Sequence, residues 1–163
     1  MAVIIVSGSV CTGKTTLAKQ LAEKLGFRYV DVNKIISKHK LSEGYDGKYH
    51  SRIIDEKKLS KALISLIKSD KKSLIIDSHL SHYLPNMYVD LCIITKCSLK
   101  ILKKRLMKRY PKLPSKVTIN MEAEIFDTCF IEACETGHSV LKVDTTHKVN
   151  IVSLAKKITR YVK

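Results

Sequence analysis

The stretch VSGSVCTGKTTLAKQL, residues 6–21, decides the fold of this chain. It holds the spacing G-x-x-x-x-G-K-[ST] from Gly8 to Thr15, between a β-branched run at residues 2–6 and a segment in which leucine and alanine recur at helical spacing. A buried strand, a glycine-rich turn and a helix N-terminus in this order direct backbone N–H groups toward an anion. The sequence therefore predicts a phosphate-binding loop.

Two side chains of this loop are expected to act on the ligand. In loops of this type the lysine, here Lys14, reaches the β- and γ-phosphates, and the hydroxyl that follows, here Thr15, binds Mg²⁺. Gly13 lets the backbone approach the phosphates closely. The expected ligand is a magnesium-bound nucleoside triphosphate.

The rest of the chain alternates between short apolar runs and amphipathic helical patterns. With 163 residues, the chain is most simply one domain. The pattern predicts an α/β fold with a mostly parallel sheet covered by helices on both faces. Strands are predicted at residues 2–6, 27–32, 73–77, 89–95 and 139–143, and helices after the phosphate loop and at residues 55–68, 99–109, 116–135 and 150–161.

Two stretches interrupt this alternation. An insertion at about residues 33–59 carries EGYDGKYH (43–50), and RYPKLPSK (109–116) holds two prolines that end one helix before the next begins. Both are expected to be mobile flaps over a rigid sheet.

Asp77 and His79 follow the apolar run at residues 73–77. In parallel sheets such a carboxylate emerges at the edge where ligands bind, so Asp77 is a candidate for the Mg²⁺ shell. His79 is a candidate to position or deprotonate a nucleophile near neutral pH. The alternatives are that Asp77 only forms a turn after the strand and that His79 is an ordinary surface or core histidine.

Arg105 and Arg109 are spaced to share one face at the end of a predicted helix. Their planar guanidinium groups suit a polyphosphate. The alternative is that both arginines lie on a solvated face of the helix.

The chain is strongly basic, with 30 Lys and Arg against 15 Asp and Glu and a net charge of +15. Residues 96–116 hold nine basic residues and no acidic one. Such a field favours RNA or phosphorylated small molecules, although a solvated lysine-rich surface has the same composition. The five cysteines form no C-x-x-C pair, and no apolar run is long enough for a signal or membrane segment. We therefore expect a cytoplasmic protein without disulfides or structural zinc.

Five stretches together resemble the atypical adenylate kinase family of isoenzyme 6 type, which is shared by archaea and eukaryotes and tied to maturation of the small ribosomal subunit. The resemblance runs nearly end to end, and the D-x-H signature of Asp77 and His79 is its most discriminating part. The stretches are GSVCTGKTT (8–16), EGYDGKYHSRIIDE (43–56), IIDSH (75–79), RLMKRY (105–110) and NMEAEIF (120–126).

This resemblance implies a P-loop nucleoside monophosphate kinase core of five parallel strands in a single domain, residues 1–163. It also implies a monophosphate-binding insertion at residues 30–53 and a lid at 108–118. The catalytic residues carried over are Lys14, Asp77, His79, Arg105 and Arg109. ATP would bind Cys11, Thr12, Gly13, Lys14, Thr15, Thr16 and Arg109, with Mg²⁺ on Thr15 and Asp77.

The chain departs from the family pattern at three positions. Cys11 stands where members usually have a second loop glycine, Lys34 where many have an acidic residue, and Tyr110 where a glycine usually follows the lid arginine.

The activity expected from the residues and the resemblance is transfer of the terminal phosphate of ATP to AMP or another nucleoside monophosphate, with Mg²⁺. The alternative is an assembly factor whose ATP hydrolysis switches its grip on a small-subunit ribosomal protein or pre-ribosomal RNA. A kinase for another small acceptor, such as shikimate, shares the fold, but the D-x-H pair and EGYDGKYH count against it.

Overall fold

The computed structural model describes residues 1–48 and 50–162, so Tyr49 of the predicted insertion lies outside the described residues. The central sheet has five parallel strands in the order β2-β5-β1-β6-β7, and two further strands, β3 and β4, form an antiparallel hairpin. The five-stranded parallel sheet is as predicted. The strands are β1 Val3–Ser7, β2 Arg28–Asp31, β3 Ser42–Asp46, β4 Ser51–Ile54, β5 Leu74–Asp77, β6 Leu91–Lys96 and β7 Val140–Asp144.

In the part of the chain that the structure describes, seven helices connect and cover these strands, along with two short 3₁₀ turns at Ser81–Tyr83 and Asn86–Tyr88. The helices are α1 Lys14–Leu25, α2 Val32–Lys38, α3 Glu56–Ser69, α4 Leu99–Arg109, α5 Pro114–Ile125, α6 Thr128–Glu135 and α7 Ile151–Ile158. None of the helices described is both long and apolar enough to cross a bilayer.

The core lies on both faces of the sheet because successive strand side chains point to opposite sides. On β1, Val3 and Ile5 pack with α3, whereas Ile4 and Val6 pack with α1 and α7. All five β1 residues are buried, as a strand covered on both faces requires. This packing fixes the loop that follows β1 against a rigid base.

The predicted helix at residues 116–135 is wrong as a single element. It is divided into α5 and α6, because Asp127 adopts a left-handed conformation with φ 55° and ends the helical path. The first of the two helices also begins earlier than predicted, at Pro114, where a missing N–H costs nothing. The strand predicted at 27–32 is one residue shorter at each end, since Val32 already begins α2.

Candidate nucleotide site

The loop at residues 8–13 connects β1 to α1 with three positive backbone φ angles. Gly8 has φ 136°, Gly13 has φ 91°, and Cys11 has φ 64°. Left-handed backbone favours glycine, so the structure explains why a second glycine is usual at the Cys11 position in the family that the sequence resembles. In this chain a cysteine holds that conformation.

Lys14 is the first residue of α1 and points back over the loop. Its Nζ donates a hydrogen bond to the Ser9 carbonyl oxygen at 2.7 Å. Burial lowers the pKa of Lys14, and the nearby Cys129 and Asp77 partly offset this effect. The Lys14 side chain thus folds back over the phosphate loop.

Asp77 lies at the carboxyl end of β5, in register with Val6 of β1 and Asp31 of β2. Its side chain is buried, and Oδ2 accepts a hydrogen bond from the Tyr29 hydroxyl at 2.8 Å. Burial and the contact with Asp77 raise the pKa of Tyr29, so the phenol stays protonated and remains the donor. The Tyr29 hydroxyl therefore orients the Asp77 carboxylate at the edge of the sheet.

His79 follows Asp77 on the wall of the same cleft. Its side chain is exposed to the cleft, and the protein around the ring takes part of the place of water. This desolvation, with the charge of Lys14, lowers the pKa of His79 to about 4. The imidazole is therefore neutral at pH 7 and has a free lone pair for a hydrogen bond.

Arg105 and Arg109, one turn apart on α4, have different surroundings. The Arg105 guanidinium is half-buried and donates to three carbonyl oxygens, those of Cys11 at 3.4 Å, Thr145 at 3.2 Å and Thr146 at 3.3 Å. Arg109 is exposed, with its guanidinium carbon 5.6 Å from the centre of the Tyr110 ring. Arg105 thus fixes the phosphate loop to the loop after β7, whereas Arg109 is available to a ligand.

Thr12 differs from its neighbours in the loop because its side chain faces the interior. Its hydroxyl donates to the Ser9 carbonyl at 2.7 Å and lies 2.6 Å from the Thr95 hydroxyl, and its carbonyl accepts from the Thr145 hydroxyl. Thr12 is fully buried, whereas Cys11, Gly13, Lys14, Thr15 and Thr16 all line the cleft.

These side chains surround a cleft of about 1340 Å³. One wall comes from the β3–β4 hairpin, with Tyr45, Ser51 and Arg52, and another from the start of α5. The Lys116 ammonium donates to the His50 carbonyl, so the two walls touch each other. A pocket for one small molecule holds about 300–1,000 Å³, so this cleft has room for two substrates.

Sequence reasoning missed Tyr29 and the loop at residues 145–149, which lines the cleft after β7. The loop had a usable signal, because every parallel strand of such a sheet delivers its following loop to the same edge. No sequence signal pointed to Tyr29, because its hydrogen bond to Asp77 depends on β2 lying beside β5.

A phosphate loop after the first strand of a parallel sheet, with an acidic residue at the end of the adjacent strand, defines a P-loop kinase fold. A "putative kinase" from Chloroflexus aurantiacus shares this fold with a TM-score of 0.61 at 17% identity, over 99% of this chain and 98% of that one. A family model described as "AAA domain" matches residues 4–127.

Proteins named as adenylate kinases are more similar to this chain in sequence than the structure above is. A protein named "Putative adenylate kinase" from Methanocaldococcus jannaschii is 36% identical over 160 residues, which cover 98% of this chain and 85% of that protein. The adenylate kinase isoenzyme 6 homolog of Caenorhabditis elegans is 35% identical over 134 residues, 82% of this chain and 72% of that protein. The chain belongs to this family of adenylate kinase-like nucleotide kinases, as the sequence motifs indicated.

Proposed function

We propose that this protein transfers the terminal phosphate of ATP to AMP or another nucleoside monophosphate. The observation that carries this proposal is the meeting of Lys14, Asp77 and His79 in one cleft whose volume suits two nucleotides. Its relatives are named as adenylate kinases, which agrees with the proposed reaction. Phosphoryl transfer needs alignment, charge stabilisation and exclusion of water rather than covalent work by the protein.

The triphosphate would lie on the backbone amides of the phosphate loop. Lys14 then exchanges its hydrogen bond with the Ser9 carbonyl for the β- and γ-phosphates. Arg109, exposed at the rim, closes on the nucleotide and adds positive charge where negative charge develops. Arg105 keeps the loop in shape through its contact with the Cys11 carbonyl.

Mg²⁺ fits the oxygen donors at the edge of the sheet. The Thr15 hydroxyl and the Asp77 carboxylate both line the cleft, and hydroxyl and carboxylate oxygens are the ligands that this ion prefers. When bound, Mg²⁺ neutralises charge on the phosphates. Tyr29 would orient the carboxylate through its hydrogen bond to Oδ2.

The acceptor would lie between two flaps of a single domain that spans residues 1–163. The insertion at residues 30–53, which includes α2 and the hairpin, holds the monophosphate, and the lid at 108–118 covers the donor. The link between Lys116 and His50 joins these flaps across the cleft. Closing both flaps around the reacting phosphates suppresses hydrolysis.

A second candidate function is an ATPase that acts in maturation of the small ribosomal subunit. The observation that favours it is the solvent face of α4, where Lys100, Lys103, Lys104 and Lys108 are all exposed. Such a face suits pre-ribosomal RNA or an associated ribosomal protein. Neutral His79 has a lone pair that accepts a hydrogen bond from an attacking water and an N–H that donates one to an acceptor phosphate, so one site supports both reactions.

A steady-state assay with Mg²⁺ and ATP, first alone and then with AMP, separates these functions. A kinase makes two ADP and loses most turnover without AMP, whereas an assembly ATPase turns over without it. Lys14→Ala should abolish both activities, and Lys24→Ala, at the far end of α1, should abolish neither. Activity that survives Lys14→Ala would contradict the site.

The His79→Ala variant distinguishes the roles of the histidine. Loss of hydrolysis with phosphotransfer retained would favour the ATPase, and loss of phosphotransfer would favour the kinase. His39→Ala is the matched control, because His39 is exposed at the end of α2 and does not line the cleft.

A further inference from the structure

A second group of reactive side chains lies next to Ser7, the residue before the phosphate loop, and does not line the nucleotide cleft. The ligand atoms of His82, Cys129 and Glu132 all lie within 4.8 Å of one another. His82 belongs to the 3₁₀ turn that follows β5, and the other two lie three residues apart on one face of α6. We propose that these three residues form a binding site for a zinc-class divalent metal ion, contrary to the expectation of no structural zinc that the cysteine spacing gave.

Both ring nitrogens of His82 have a polar partner, as is usual for a histidine that binds a metal. Its Nε2 lies 2.9 Å from Glu132 Oε2, and its Nδ1 lies 2.8 Å from the Ser7 hydroxyl. A partner on the second ring nitrogen fixes ring orientation and tautomer, which is the usual outer contact of a metal-bound histidine. Burial and the nearby Glu132 carboxylate raise the pKa of Tyr83, so the Tyr83 phenol stays protonated beside Glu132.

These residues do not form a hydrolytic triad, although a serine, a histidine and a glutamate stand in line. Ser7 and His82 have relative exposures of 0% and 1%, so no substrate reaches the hydroxyl. Glu132 is half-buried, and the Cys129 side chain beside it is buried within the cluster. The three ligand atoms therefore border the surface at Glu132 while Ser7 stays out of reach of a substrate.

The donor set selects the metal. A thiolate, an imidazole and a carboxylate are the ligand types of Zn²⁺ and Co²⁺, whereas Mg²⁺ and Ca²⁺ prefer oxygen ligands alone. The two anionic ligands balance the double positive charge of the ion. The bound site is therefore neutral.

Binding changes bonds and protons without any redox step. The Cys129 thiol loses its proton to solvent, and its sulfur coordinates the ion. The His82 proton shifts from Nε2 to Nδ1, so that Nε2 coordinates and Nδ1–H donates to the Ser7 oxygen. The Ser7 hydroxyl keeps a partner of its own in the His79 carbonyl, 3.4 Å away. Water supplies a fourth ligand.

The site would connect three parts of the fold. Ser7 directly precedes Gly8 of the phosphate loop, His82 follows the strand that ends at Asp77, and α6 supplies the remaining ligands. An ion here fixes α6 against the base of the phosphate loop, so its expected effect is on stability. This site is independent of the proposed Mg²⁺ site, which has no thiol.

Cobalt titration of the nucleotide-free protein, purified with a chelator and dialysed, tests the proposal. Co²⁺ bound to a thiolate gives a near-ultraviolet charge-transfer band that oxygen and nitrogen ligands do not produce. We expect one equivalent of Co²⁺ to produce this band in the unmodified chain, and Zn²⁺ to displace it. Absence of the band in the folded, unmodified chain would overturn the proposal.

Cys129→Ser should remove the band, and Cys134→Ser is the matched control. Cys134 is an exposed thiol on the same helix and should leave the band unchanged. Ser7→Ala should retain the band and weaken Co²⁺ binding by about 10- to 100-fold. A band that persists in Cys129→Ser, or that is lost in Cys134→Ser, would assign the metal to another thiol and contradict the site.

Thermal unfolding with Zn²⁺ gives a second readout. The Tm of the unmodified chain and of Cys134→Ser should rise with zinc, because an ion that binds only the folded state stabilises it. The Tm of Cys129→Ser should not rise. An equal rise in all three proteins would show that zinc binds elsewhere.

Discussion

The Tyr29 hydroxyl donates a hydrogen bond of 2.8 Å to Asp77 Oδ2, which joins β2 to the carboxylate at the edge of the sheet. Under the proposed function, Tyr29→Phe frees this oxygen and lets the carboxylate rotate. Loss of an outer contact of this kind weakens metal binding or activity by about 10- to 100-fold. We therefore expect the Mg²⁺ concentration for half-maximal activity to rise at least about 10-fold.

Magnesium titrations of the kinase assay measure this effect. Tyr161→Phe is the control, because Tyr161 is exposed near the C-terminus and outside the cleft. An unchanged Mg²⁺ dependence in Tyr29→Phe would contradict an orienting role for the hydroxyl.

The contact between Tyr29 and Asp77 also shows what the sequence leaves open. The phosphate loop was predictable because a strand, a glycine turn and a helix start are contiguous in the chain. The pairing of β2 with β5 was not, because it joins residues that are 48 positions apart and depends on strand order. A local pattern holds no information on that order.

Two local features escaped prediction for different physical reasons. The break at Asp127 interrupts a segment whose helical periodicity continues on both sides, so the pattern alone favours one helix. The hairpin of β3 and β4 is mostly exposed and lacks the apolar alternation by which strands are recognised.

The second prediction concerns Gly8, which lies against β6. A Cβ at this position would be 2.5 Å from the Thr95 hydroxyl oxygen and 2.7 Å from its carbonyl oxygen, and the backbone has φ 136°. Gly8→Ala combines backbone strain with a clash against backbone, which together cost about 2–6 kcal/mol of stability. Urea unfolding measures this loss. Gly47→Ala, with open space around it, should change stability by less than about 0.5 kcal/mol.

The third prediction separates Arg105 from Arg109. Lysine has one nitrogen where Arg105 uses two, so it cannot keep together the hydrogen bonds to the carbonyls of Cys11, Thr145 and Thr146. Arg105→Lys should therefore lower the free energy of unfolding by about 1–3 kcal/mol. Arg109→Lys should change it by less than about 0.5 kcal/mol and instead raise the KM for ATP. Thermal unfolding and kinetics on both variants check this, and equal losses of stability would contradict it.

The fourth prediction compares alanine and glycine at Cys11. Both variants lack the sulfur, so their difference reports the backbone, whose φ is 64°. Left-handed backbone costs a residue with a Cβ about 1–2 kcal/mol, and the greater freedom of glycine in the unfolded chain offsets part of this. Cys11→Gly should therefore be more stable than Cys11→Ala by about 0.5–1 kcal/mol.

The order should reverse in a helix. At the exposed helical residue Lys24, alanine should be more stable than glycine by about 1 kcal/mol. Chemical denaturation of the four variants makes the comparison. If alanine were the more stable residue at both positions, left-handed strain at Cys11 would not contribute to stability.

The last prediction concerns the ion pairs that anchor the junction of α5 and α6. Asp127 lies 2.6 Å from the Lys96 ammonium and 3.1 Å from that of Lys142. The close Lys96 ammonium, together with the hydrogen bond and charge of Lys142, lowers the pKa of Asp127 below its ordinary value of 3.8. A carboxylate with a lowered pKa in the folded state stabilises the fold above its unfolded pKa, and this contribution is lost as pH falls through the folded value.

Asp127→Asn tests this because asparagine tolerates the left-handed backbone and removes the charge with little change in side-chain size. At pH 7 and low salt the variant should be less stable than the unmodified chain by up to about 1 kcal/mol, since the pairs are partly exposed. The difference should shrink as the pH falls below about 4, where Asp127 begins to take up a proton in the unfolded chain. Urea unfolding at pH 7 and pH 3 measures it, and a difference that grew on acidification would reverse the assigned sign and exclude these ion pairs as its source.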